Sequence, residues 1–175
     1  MAFYSIPSLE MAANQLSYWN FLALIPILWV VTNNNYFIKN DTAVAATVAQ
    51  YDTLLNTFGE AFNAHDADKL VSMMTEDCVF RTAMGDTSTG TVIQGKAAVK
   101  EAFIQTFSNF PDAKWEPRGK NNIIAGNRGV SEWNFIATRK SDSAKFEVDG
   151  VDVFTFRDNL IAVKDAYRKD RPPTI

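Results

Sequence analysis

The stretch KFEVDGVDVFTFRDNLIAVKDAYRK, residues 145–169, carries the pattern that decides the fold. Successive side chains of a strand point to opposite sides, so residues two apart share a face. Over 145–156 the even positions are Phe146, Val148, Gly150, Asp152, Phe154 and Phe156, an apolar face interrupted by one carboxylate. In the following run, 160–169, the odd positions are Ile161, Val163, Asp165, Tyr167 and Lys169. Asp158-Asn159 between them predicts a two-residue hairpin turn that pairs Arg157 with Leu160. Counting outward sets Phe156 opposite Ile161, Phe154 opposite Val163, and Asp152 opposite Asp165. The same count across the preceding hairpin, with its loop centred on Asp142, sets Ile136 against Val148, Asn134 against Gly150 and Glu132 against Asp152.

In that register Glu132, Asp152 and Asp165 cross three strands with neighbouring Cβ atoms about 5 Å apart. Like charges on a dry face cannot all ionise, and a carboxyl held protonated to higher pH is what general acid–base catalysis uses. These three acids are the candidate catalytic groups. Asn134, Tyr167 and Lys169 are the polar neighbours that would orient a ligand. Two structural alternatives compete: one acid pairs with a base such as Arg81 or Lys169, or a one-residue bulge turns Glu132 outward and dissolves the row.

Working back along the chain, helices precede the strands. Asp41-Thr42 is an N-cap signal, and Val44, Thr47, Val48, Tyr51, Leu54, Leu55, Phe58 and Phe62 recur at helical spacing, which predicts a helix over 42–64. Asp66 caps a second, short helix through Met74, and Lys96 to Phe107 forms a third. Strands are expected near 77–83, 91–94, 113–118, 122–125 and 129–139, with the Gly85 to Gly90 stretch as a mobile flap. Helices first and a meander after give an α+β domain over 42–175.

Thirteen Phe, five Tyr and four Trp suit a domain whose inner walls are lined with rings, and Tyr51, Phe58 and Phe154 are the expected pocket walls, with Arg81 as a carboxylate partner. Formal charge is −3 with acids and bases interspersed, which gives a phosphate backbone no basic face and makes nucleic acid an unlikely partner. The single histidine, His65, leaves no material for a His-based metal site or a Ser-His-Asp triad and reads as a helix-end residue. No glycine-rich phosphate loop follows a strand, so no cofactor is indicated. The lone Cys78, in an apolar run, reads as a buried thiol.

Residues 1–41 differ in character. Their apolar centre, Trp19 to Val31, is broken by Asn20 and Pro26, and Tyr18, Trp19, Trp29 and Tyr36 resemble interfacial anchors. The run is marginal as a full membrane span, and residues 18–38 are expected either at a membrane or against protein. On the outer sheet face the predicted register places Trp133, Phe135, Val151 and Val153, the surface expected to pair two copies of the chain.

Four stretches carry a family resemblance: Phe62-Asn63-Ala64-His65-Asp66-Ala67-Asp68 leading to Asp77-Cys78-Val79-Phe80; Gly95-Lys96-Ala97-Ala98-Val99; Val130-Ser131-Glu132-Trp133-Asn134-Phe135; and Gly150-Val151-Asp152-Val153-Phe154-Thr155-Phe156 through Lys164-Asp165-Ala166-Tyr167. They resemble the nuclear transport factor 2-like superfamily, and its polyketide-cyclase (SnoaL-like) branch most closely. The resemblance implies a cone: a curved antiparallel sheet wrapped over three helices, enclosing an apolar pocket with a few acids. The same cone hosts isomerases, dehydratases, cyclases, epoxide hydrolases and non-catalytic subunits. Two functions therefore stand from sequence: acid–base catalysis on an apolar small molecule, or an accessory subunit held at a membrane or in a complex by its N-terminal segment.

Overall fold

The computed structural model describes residues 41–119, 122–170, 172 and 174. The membrane or partner contact expected for residues 18–38 lies outside them. No helix among the described residues is long and apolar enough to cross a membrane. The chain divides into two compact units, Met1–Ala45 and Ala46–Ile175, and the second contains every strand among the described residues.

Helix α1 covers 41–63. Within the second unit it buries Tyr51, Leu55, Phe58, Ala61 and Phe62, a stripe at helical spacing. It ends where His65 takes φ +56°, and the His65 Nε2–H donates to the Ala113 carbonyl at 3.0 Å. Asp66 then caps α2, Ala67–Ser72, by accepting from the Lys69 N–H at 2.9 Å. Strands β1, Met74–Arg81, and β2, Val92–Gln94, precede α3, Lys96–Asn109, which buries Val99 and Phe103. Five strands follow: β3 Lys114–Pro117, β4 Ile123–Ala125, β5 Arg128–Thr138, β6 Lys145–Arg157 and β7 Leu160–Arg168. They build a seven-stranded sheet in the order β2-β1-β7-β6-β5-β3, with β4 on β5. The sheet is mixed, since β1 runs parallel to β7 while all other pairs are antiparallel. Rings join α1 to the sheet: Tyr51 stacks on Phe156 at 4.0 Å, Phe62 on Trp115 at 3.6 Å, and Phe58 meets Phe154 edge-on at 6.0 Å. Burying each such ring stabilises the fold by about 1.5–3 kcal/mol.

Both predicted registers slip by one residue, for separate reasons. The β6–β7 hairpin closes as expected, with Asp158 and Asn159 both at positive φ, Arg157 opposite Leu160 and Phe156 opposite Ile161. Thr155 then pairs with Val163, so Ala162 is an extra residue in β7, a bulge that inverts every side chain beyond it. Asp152 consequently faces Ala166, Lys164 turns inward opposite Phe154, and Asp165 turns outward opposite Val153.

The β5–β6 hairpin closes on Arg139 and Ala144 around Lys140, Ser141, Asp142 and Ser143, an even-numbered loop where an odd one was expected. Asp142 holds it by accepting from the Arg139 guanidinium at 2.7 Å and from the Ala144 N–H at 3.1 Å. Asp152 therefore meets Ser131, Glu132 meets Val151, and Trp133 meets Gly150. The row of three acids does not form. Trp133 and Phe135 belong to the inner face, where Trp133 is buried, and the outer face keeps only Val151 and Val153 of the expected partner surface.

The Trp133 indole lies across Gly150. A Cβ at Gly150 would overlap the Trp133 ring and lie 2.5 Å from the Tyr167 carbonyl oxygen, and that oxygen cannot withdraw without moving a strand. Gly150→Ala is expected to cost about 1–3 kcal/mol in denaturant unfolding and to shift the Trp133 emission; a variant with wild-type stability and emission would contradict this packing.

Candidate functional site

A cavity of about 490 Å³ opens between α1 and the inner sheet face. Helix α1 contributes Leu55, Asn56, Phe58, Gly59, Glu60 and Asn63; β3 contributes Trp115; β5 contributes Ser131 and Trp133; β6 contributes Asp152 and Phe154. Trp115 is fixed by Asn63, whose side chain accepts from the Trp115 N–H at 2.8 Å and donates to its carbonyl at 2.9 Å. The rim is tied to α1 by Asp52, which accepts from the backbone and side chain of Asn122 at 3.0 and 2.9 Å.

Among the carboxylates lining this cavity, Asp152 is the buried one, only 1% exposed. Lys164, equally buried, donates to its Oδ1 at 2.8 Å, and the ammonium lies over the rings of Phe80 at 4.5 Å and Trp115 at 4.9 Å. The Trp133 Nε1–H is buried and completes no hydrogen bond of ordinary geometry, yet it is near enough to Asp152 to favour the carboxylate. Burial is the largest influence on Asp152 and pushes its pKa above the usual Asp range; the Lys164 charge, the Lys164 hydrogen bond and the Trp133 N–H oppose it, and Asp165 adds a smaller upward push.

The other expected site residues are distributed differently. Phe58 and Phe154 line the cavity, while Tyr51 stacks on Phe156 in the core. Asp165 lies on the outer face, where Arg81 donates to it at 3.2 Å and the Tyr167 hydroxyl at 3.4 Å. The expected pairing of an acid with Arg81 is thus present, outside the cavity. Asn134 donates to Asp149 at 3.1 Å, also on the outer face, and Tyr167 is exposed. Glu132 is exposed and reaches only the rim. Lys164, Trp133, Trp115 and Ser131 escaped the sequence reading as site residues. For Trp133 and Ser131 the missing signal was the even-numbered loop, and for Lys164 the bulge at Ala162. Among the described residues no group of three His, Cys, Asp or Glu side chains gathers to hold a metal.

The raised pKa of Asp152 has a definite linkage sign. Between the ordinary Asp value and its own folded value the native state holds a proton that the unfolded chain has released, so stability falls as pH rises through that window. Asp152→Asn removes this slope but leaves the Lys164 ammonium buried without its counter-ion, at a cost of about 3–5 kcal/mol. Denaturant unfolding from pH 4 to 8 is expected to show both effects, with most of the loss recovered in the Asp152→Asn, Lys164→Met double variant. An additive double variant would mean that the two side chains are not coupled.

A family model for the SnoaL-like domain matches residues 55–164. No curated protein matches the chain. Solved structures match the fold. An NTF2-like protein of unknown function from Mesorhizobium loti is 20% identical, with TM-score 0.58, covering 70% of this chain and 93% of its own. A hypothetical protein with a ketosteroid isomerase-like fold from Catenulispora acidiphila, in complex with trimethylamine, is 14% identical, with TM-score 0.57, covering 65% and 83%. TerC co-crystallised with polyporic acid is 19% identical, with TM-score 0.57, covering 67% and 89%.

Proposed function

The chain belongs to the SnoaL-like domain family, and we propose that it binds a small, largely apolar molecule in the α1–sheet cavity and transfers a proton through Asp152. One observation carries this reading: a carboxyl only 1% exposed stands in the wall of an aromatic-lined cavity of about 490 Å³. A buried acid beside Phe154, Trp133 and Trp115 on the cavity wall adds nothing to packing that a hydrophobic side chain would not supply. Its use lies in chemistry, because water exclusion strengthens every interaction it makes with a ligand.

Asp152 is the proton carrier. Trp133 Nε1–H, which favours the Asp152 carboxylate without completing a hydrogen bond of ordinary geometry, is the donor that would turn to a ligand oxygen. Proton transfer balances simply: the ligand C–H or O–H bond breaks, the proton passes to the Asp152 carboxylate, and the ligand oxygen takes up the electron pair against the indole N–H. Return of the proton at another ligand carbon completes an isomerisation; attack of the enolate carbon on a second ligand carbonyl, whose C=O π bond opens to an alkoxide that takes the proton, completes a cyclisation; and cleavage of a ligand C–O bond, with the returned proton leaving on the hydroxide as water, completes a dehydration. Two structural neighbours, crystallised with trimethylamine and with polyporic acid, support the use of this kind of cavity for small molecules. Lys164 is not among the lining residues and acts on Asp152 from behind.

The test is deuterium exchange from heavy water into a panel of neutral cyclic ketones and keto esters, followed by NMR. The Asp152→Asn, Lys164→Met double variant removes the proton carrier without stranding a charge, and is expected to lose about 10²–10⁴-fold in exchange rate. Asp165→Asn, altered on the outer face, is expected to retain the wild-type rate. Equal loss in both variants, or in neither, sinks the assignment.

A further inference from the structure

Gly59 sits inside α1, at the centre of the stripe that runs from Leu55 to Asn63 along the cavity. Glycine is the least favourable helix-interior residue after proline, so its presence calls for a local reason. Packing among the described residues supplies none: a Cβ built at Gly59 meets none of their atoms within 4 Å. Backbone conformation supplies none either, since Gly59 is helical and is not among the positive-φ glycines. Gly150 is different, because there a Cβ would strike Trp133 and the Tyr167 carbonyl. What lies over Gly59 is the cavity itself.

We propose that Gly59 is a specificity-determining residue, a bare patch of helix backbone against which the ligand lies, and that the ligand carries no negative charge. The inference rests on the reading of the cavity as a small-molecule site, and it says which wall the molecule presses on. A side chain at position 59 would project from the same helix face as Leu55 and Asn63 into the space that the ligand fills. A flat molecule suits a wall without a Cβ on one side and the indoles of Trp115 and Trp133 elsewhere. The described lining residues offer carboxylates at Glu60, Glu132 and Asp152 and no basic side chain, which disfavours an anionic ligand. The position thus gives up helix stability for ligand space, the trade expected where a site and a scaffold share one element.

The full-length chain and its Gly59→Ala and Gly59→Leu variants are titrated with Nile red, a flat uncharged dye that fluoresces in apolar surroundings, and each is melted in parallel. Gly59→Ala is expected to raise the thermal midpoint by about 2–4 °C while weakening Nile red by about 5–10-fold. Gly59→Leu is expected to remain folded and to weaken the dye by more than about 100-fold. Wild-type affinity in both variants overturns the role of Gly59 and leaves the cavity reading standing, as does an alanine variant that melts lower, because glycine would then be needed for packing. Failure of Nile red to bind the wild type removes the cavity reading and this inference together.

Discussion

Ala162, the extra residue in β7, determines which charges meet inside the sheet. Without it Lys164 would point outward and Asp165 inward, and two aspartates would share an apolar wall. With it Lys164 stands beneath Asp152, and Asp165 leaves the interior for Arg81. A bulge is a small local irregularity, but strand alternation carries its effect to every residue beyond it. The sheet therefore carries acid–base pairs on opposite faces, among them Asp152–Lys164, dry at 1–2% side-chain exposure, and Asp165–Arg81, partly exposed to solvent.

The dry pair is not explained by stability alone. Removing two charges from water costs several kcal/mol for each ion, and attraction at 2.8 Å with one hydrogen bond offsets this without a clear surplus. Phe80 and Trp115 lessen the cost by presenting ring faces to the ammonium. The arrangement leaves one acid whose proton affinity is set by opposing influences of burial and charge, beside an indole N–H held in place because Gly150 has no side chain. These conditions are the ones on which the proposed proton transfer rests.

The family resemblance and nearly every element were legible in the sequence, because alternation, capping and turn signals are local. The turn at Asp158-Asn159 was readable for the same reason, since two residues that tolerate positive φ sit between two alternating runs. The bulge was not. Ile161, Ala162 and Val163 are all apolar, so a slip among them exposes no misplaced polar group that would report it. The β5–β6 loop hid its centre in the opposite way, because Lys140, Ser141, Asp142 and Ser143 are all polar and any of them suits a turn. The place of Asp152 on the inner face was readable because it interrupts an apolar run. Lys164 could be found only after the slip was known, and each error moved Trp133, Asp165 or Glu132 to the wrong side.

The account depends on Asp152 being a buried acid under the control of Lys164, and its titration reports this directly. Carboxyl-carbon NMR of selectively labelled aspartate, assigned by the Asp152→Asn variant and followed across pH in the full-length wild type, gives the midpoint for that one group. The account predicts titration above the usual Asp value of about 3.9. A midpoint at or below that value would show a carboxylate in ordinary contact with water, and the proposed proton transfer would lose its acid.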